Sequence, residues 1–296
     1  MDDSEQTTPI HHLDQRLVDG VVGDDPSARA ALARAVRDCE ERHLVTGSGY
    51  FLLSGLGHLD ESAARRFLLA LSVALGPPLP QTFDGEVVRE VRDRGVRLES
   101  GPTVRYSDTR HGGHLHTDGV HRPGEVPAYF ALHCVRQAAA GGALVLVHVA
   151  DLVRELLAWE PGSVAALREP VHFDTRDGRP GHPVTVPRPV LELDRGGARI
   201  AYLREYIESA HRRPGIAPLS APQTRAMDRL DALLSRPDLR TCYRLEPGQV
   251  VVVNNRVVVH GRTTFQDRPG SGAGRLMLRT WIGARPARPT VLPPPL

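Results

Sequence analysis

Four His-x-Asp triplets occur in this chain, at His12–Asp14, His58–Asp60, His116–Asp118 and His172–Asp174. In an extended segment the first and third residues of such a triplet point to the same side. An imidazole and a carboxylate can then reach one cation from a single stiff piece of backbone. Three of the four have plainer explanations. His12 lies in a polar N-terminal stretch, Asp60 stands where a helix would be capped, and His172–Asp174 opens a run rich in Pro and Gly. His116–Asp118 differs in its surroundings, Arg110-His-Gly-Gly-His-Leu-His-Thr-Asp-Gly119, with His111, His114, His116 and Asp118 inside eight positions.

A third metal-binding candidate stands 260 − 116 = 144 residues downstream. His260 ends the apolar run of 250–260 and is followed by Gly261 and Arg262. An imidazole at a strand end can point into a pocket while the strand stays rigid. Two imidazoles and one carboxylate on one face suit a non-haem Fe(II) site of the facial-triad kind, which leaves coordination positions open. A zinc hydrolase also uses two His and a carboxylate, but no HExxH motif is present. A cupin-type site could begin with His114 and His116, but the Glu expected soon afterwards is missing, the nearest being Glu125. A non-enzymatic jelly-roll binding protein would have no use for His116, Asp118 and His260 together.

The chain resembles the TauD/TfdA-like (clavaminate synthase-like) Fe(II)/2-oxoglutarate oxygenases. The resemblance rests on Leu115-His116-Thr117-Asp118, on Gly141-Gly142, on Asn254-Asn255-Arg256 leading to His260-Gly261-Arg262 and Phe265, and on the segment Arg275 to Ile282. It covers roughly 75–285. It implies a double-stranded β-helix, a jelly-roll variant. It implies His116, Asp118 and His260 as iron ligands, with 2-oxoglutarate and O2 as cosubstrates. It also implies an Arg shortly after the distal His to grip the far carboxylate of 2-oxoglutarate. Arg275 lies 275 − 260 = 15 residues on and fits that role; Arg279, at i+4 on the same strand face, would then point toward substrate. Gln81 sits in a loop that many relatives turn toward substrate. The resemblance has one departure: relatives often place Thr or Ser two residues after Gly-Gly, and here that residue is Leu144. Related halogenases replace the carboxylate with a small residue, so Asp118 argues against halogenation. The implied reaction is hydroxylation of an unactivated C–H bond in a small polar or amino-acid-derived molecule, in natural-product biosynthesis. Desaturation, epoxidation and cyclisation are variants of it.

The elements that must position these residues read as many short strands with a few helices. Asp25-Pro26 starts a helix over 26–45, and Asp60 caps a second that ends at Leu75. Strands are expected at 50–54, 86–92, 102–106, 128–136 and 142–149, then a helix over 151–159. The run 170–190 reads as loop, 189–194 and 198–203 as a hairpin, and 221–235 as a helix. Strands follow at 241–245, 249–253, 256–260 and 274–282. The absence of strand–helix alternation and of GxGxxG argues against a dinucleotide-binding fold. The expected architecture is mainly β with flanking helices, a single domain over 1–296 with loose tails at 1–24 and 284–296.

Composition fits this picture. Of the 296 residues, 41% are hydrophobic and 24% charged, which is ordinary globular usage. The 37 basic residues, all Arg, nearly balance 35 acidic ones, so there is no electrostatic footprint for nucleic acid. Cys39, Cys134 and Cys242 are far apart and make no disulfide framework. No apolar stretch reaches membrane-spanning length, and the polar N-terminus has no secretory apolar core, so a cytoplasmic protein acting on a small molecule is expected.

Overall fold

A computed structural model of the chain describes residues 8–82, 84–96, 106–113, 115–268 and 274–285. The N-terminal third lays β1 (Ile10–His12), α1 (Gln15–Val22), α2 (Pro26–Cys39), β2 (Tyr50–Ser54) and α3 (Glu61–Leu75). β3 (Pro78–Leu79), β4 (Val88–Val91), β5 (Tyr129–Arg136), β6 (Ala140–Gly141) and β7 (Leu144–His148) follow. A second helical group, α4 (Val149–Trp159) and α5 (Pro161–Arg168), precedes β8 (Pro170–Asp174), β9 (Thr185–Pro189), β10 (Leu191–Asp194) and β11 (Gly197–Ile200). α6 (Arg204–His211) and α7 (Ala221–Leu234) lead to β12 (Thr241–Tyr243), β13 (Val250–Asn254), β14 (Val258–Arg262), β15 (Phe265–Gln266) and β16 (Leu276–Ile282).

The main sheet has seven strands, ordered β1-β2-β13-β5-β16-β3 with β4 also on β16. Opposite it lies a three-stranded sheet ordered β12-β7-β14. Alternation explains the two cores. Phe51, Leu53, Val250 and Val252 face the helices α1, α2 and α3, while Tyr50, Leu52, Val251 and Val253 face the smaller sheet. Both faces are buried, so these strands read as unbroken apolar runs. A third core, built on Phe173, Tyr202, Leu230 and Val259, joins α4–α7 to the outer hairpins.

Several expectations shift. The helix expected over 26–45 is α-helical to Cys39 and then widens to a π-helical turn, Glu40–Val45. Residues 10–22, expected within a loose tail, form β1 and α1; β1 pairs in parallel with β2, and Asp14 caps α1. The run 170–190 is not loop throughout: β8 and β9 pair antiparallel from Pro170↔Pro189 to Asp174↔Thr185. Its prolines misled the reading. In a two-stranded ribbon each strand has one open side, and a proline whose nitrogen faces that side forfeits no ladder bond. The strand expected at 102–106 lies outside the described residues, except that Tyr106 opens a short 3-10 turn. Of the tail expected from 284, Ala284 and Arg285 are anchored, Arg285 donating from Nε to the Leu75 carbonyl; residues beyond 285 lie outside the described set.

Candidate active site

The segment carrying His116 is fastened residue by residue. His116 and His260 exchange backbone bonds, N–H to O, at 2.8 Å in both directions. This is one antiparallel bridge between residues far apart in the chain. Thr117 donates its N–H to the Tyr202 carbonyl at 2.8 Å, and its hydroxyl accepts from the Tyr202 N–H at 2.9 Å. Asp118 donates its N–H to Oδ1 of Asn255 at 2.7 Å, and Asn255 Nδ2 returns a bond to the Asp118 carbonyl at 2.9 Å. Asn255, buried in the turn between β13 and β14, also reaches the Pro127 carbonyl. Sequence reading treats Asn254-Asn255 as turn chemistry; that Asn255 ties the His-x-Asp segment to β14 depends on contacts no local pattern shows.

The bridge brings together three side chains that could hold a metal ion. Ligand atoms of His116, Asp118 and His260 all lie within 4.8 Å of one another. Nε2 of His116 is 3.9 Å from Oδ1 of Asp118, and Nε2 of His260 is 3.7 Å from Oδ2. These spans are too long for hydrogen bonds and suit a cation touching all three. The His260 ring lies against Phe130, tilted by 39° with centroids 4.2 Å apart, while its Nδ1 is buried without a partner. Packing, rather than a hydrogen bond, sets that ring's orientation. Burial alone would raise the Asp118 carboxyl, but Arg279, His260 and His116 outweigh it and hold it far below the usual carboxylate range. Asp118 is therefore anionic.

The three other triplets do structural work. Asp14 and Asp60 cap α1 and α3. His172 bonds Thr185, and Asp174 is gripped by Arg213 and Ser209. His114 lies outside the described residues.

Arg275, just before β16, and Arg279, on it, both line the same cavity, of about 140 Å³. Arg275 is only 3% exposed. Its Nε donates to Gln137 at 3.3 Å, its backbone N–H goes to Asp267, and its Nη1 is buried without a partner. Burial pushes the guanidinium down to about 9, and the neighbouring Arg262 adds to the shift. Gly142 stands beside it at φ +71, where a Cβ would come within 3.1 Å of the Arg275 Nε. Glycine there keeps the guanidinium's place open. Arg279 points instead at Asp118, and its Nε donates to Gln81 at 2.8 Å. Gln81 is fully buried behind Arg279, and its Nε2 donates to the carbonyls of Val87 and Arg279. Among the described residues lining the cavity it is absent; it orients Arg279 from outside. The remaining wall is largely apolar, with Val91, Leu203, Tyr206 and Trp281.

The chain matches, over residues 7–281, the family described as "Taurine catabolism dioxygenase TauD, TfdA family". It is similar to FR-33289 synthase of Streptomyces rubellomurinus (strain ATCC 31215), 27% identical over 96% of this chain and 80% of that protein. It is also similar to a uridine-5'-phosphate dioxygenase of Amycolatopsis sp, 27% identical over 74% of this chain and 80% of that protein. Among solved structures, an asparagine oxygenase in complex with Fe(II), 2S,3S-3-hydroxyasparagine and succinate superposes with a TM-score of 0.69 at 20% identity, covering 93% of this chain and 94% of that one. The non-heme iron oxygenase OrfP in complex with Fe and alpha-ketoglutaric acid gives a TM-score of 0.68 at 16% identity, covering 94% of each chain. The expected jelly-roll architecture is the fold these structures share.

Proposed function

This chain belongs to the TauD, TfdA family of dioxygenases, and we propose that its active centre is built from His116, Asp118 and His260, with Arg275 as the anchor of 2-oxoglutarate. It is an Fe(II)- and 2-oxoglutarate-dependent oxygenase, as expected from its motifs. The observation that carries the assignment is the convergence of the three ligand atoms within 4.8 Å at the end of an arginine-bearing cavity. Two neutral imidazoles and one carboxylate fit Fe(II), and their short mutual spans suit one ion.

Iron, O2 and 2-oxoglutarate together supply the oxidising equivalents, 2-oxoglutarate leaving as succinate and CO2 while one oxygen atom passes to the substrate. The chain's own residues hold, orient and exclude. The His116–His260 bridge and Asn255 fix the ligands before metal arrives, which lowers the cost of assembling the site. Arg275 presents an unpartnered N–H in a dry recess, the setting in which a guanidinium–carboxylate pair is strongest. The apolar wall formed by Leu203, Tyr206 and Trp281 keeps water from the reacting C–H bond.

The substrate is a small polar molecule carrying an anionic group. Among the described residues lining the cavity Asp118 is the only acid, and with Arg275 given to 2-oxoglutarate, Arg279 is the cation that would meet an anionic group on the substrate. A free ammonium on the substrate would therefore find no carboxylate there other than Asp118. The names of the FR-33289 synthase and uridine-5'-phosphate dioxygenase relatives fit natural-product biosynthesis, and we assign this chain to that setting. The test is succinate formation from 2-oxoglutarate by the Fe(II)-loaded protein. Wild type should turn over slowly without substrate and His260→Ala should not; equal rates would refute the assignment.

A further inference from the structure

Strand β14 carries two pocket-facing polar side chains, His260 and Arg262, two positions apart and so on one face. Arg262 pairs directly across the sheet with Leu144, which is apolar and offers no hydroxyl to an anion. Its Nη2 donates to the carbonyls of Thr109 at 2.9 Å and His111 at 2.7 Å, so the side chain is held in one place. Its Nε is buried without a partner. Nearby, Arg275 is buried with its Nη1 equally unpartnered. The two guanidiniums share one aromatic ring, lying 4.7 and 5.1 Å from the centroid of Phe265.

Arg275 is buried and Arg262 half-buried; their like charges repel, and among the described residues neither guanidinium has a carboxylate in salt-bridge contact, Asp93 and Asp267 acting only from farther off. Burial lowers Arg275, and the charge of the neighbouring Arg262 lowers it further. Such a pair costs free energy unless an anion joins it. A carboxylate has two oxygens and room for several donors, and the cavity offers one cation more than a single anchoring arginine requires.

We propose that Arg262 is a second guanidinium for the far carboxylate of 2-oxoglutarate, forming a two-arginine clamp with Arg275. This rests on the reading of the cavity as a 2-oxoglutarate site. The clamp makes recognition depend on the far carboxylate more strongly than one arginine would, and it explains how Leu144 is tolerated across the strand.

The test is anaerobic calorimetric titration of the Fe(II)-loaded protein with 2-oxoglutarate and with 2-oxobutyrate, which keeps the chelating end and lacks the far carboxylate. Arg262→Gln should weaken 2-oxoglutarate about ten- to hundredfold, the span of a lost charged hydrogen bond, and leave 2-oxobutyrate unchanged. Arg262→Lys keeps a cation and an apolar stem on Phe265, so it should lose less, and it serves if the glutamine variant fails to fold. Equal weakening of both acids would mean that Arg262 only braces the Thr109–His111 segment, and the clamp would be wrong. Unchanged 2-oxoglutarate binding would overturn it as well. Wild type that binds neither acid would overturn the whole reading of the cavity, a result distinct from a failure of Arg262 alone.

Discussion

Arg279 reaches Asp118 through a single nitrogen, Nη1, 3.0 Å from Oδ1 and 3.3 Å from Oδ2. The carboxylate proposed as the metal ligand thus already has a cation beside it, and Gln81 holds that cation from behind. Both side chains of the pair are nearly sequestered from water. Arg279 cannot be read as a free substrate anchor alone: it also steadies the proposed metal ligand Asp118.

Removing this arginine leaves Asp118 as a buried carboxylate without its partner. Arg279→Leu should destabilise the metal-free protein by about 3 kcal/mol, the scale of a broken buried pair. Fe(II) or Co(II) should restore part of that loss, because the metal supplies the missing positive charge. Melting temperatures with and without metal check this: the metal-induced rise should be larger in the variant than in wild type.

Asn255 makes three hydrogen bonds that join the His-x-Asp segment to the turn before His260. Asn255→Leu strands the Asp118 N–H and two carbonyls in the interior. Urea denaturation should show a loss of roughly 3 kcal/mol, and metal titration should show weaker binding although no ligand has changed.

His133 gives a pH dependence that does not involve the metal centre. It is 2% exposed on β5. Burial lowers it from 6.5 to about 4. Between those values the unfolded chain binds more protons than the folded one, so stability rises with pH there. The contribution is fully present above 6.5 and is lost as pH falls toward 4, to a total of about 3 kcal/mol. His133→Leu should flatten the stability profile over that window. His43 and His148, also lowered first by burial, should leave a residual slope. An unchanged profile in the variant would contradict the assignment.

The parts of this molecule legible in its sequence are those fixed by local rules. Strand β2 and helix α3 are found at their expected places because an unbroken apolar run and an Asp60 cap are local signals. That His116, Asp118 and His260 belong together was legible, because metal chemistry restricts residue type and spacing, and the fold brings their ligand atoms within 4.8 Å of one another. What escaped depends on partners distant in the chain. Gln81 reads as a loop residue facing substrate, yet its bonds run to β16, 198 positions away. Asn255 reads as a turn residue, and Arg262 as part of a motif without a role; only the fold shows one tied to Asp118 and the other facing Leu144. The hairpin of β8 and β9 was hidden by its prolines, because edge strands obey weaker sequence rules than central ones.

The most direct measurement is anaerobic addition of Fe(II) and 2-oxoglutarate to metal-free protein, following the weak visible charge-transfer absorption of the chelated cosubstrate. Wild type should develop the band. Asp118→Ala should abolish it, and Arg275→Ala should demand far more 2-oxoglutarate to produce it. A band that survives Asp118→Ala undiminished, or that never forms in wild type, would contradict the assignment of His116, Asp118 and His260 as the iron site.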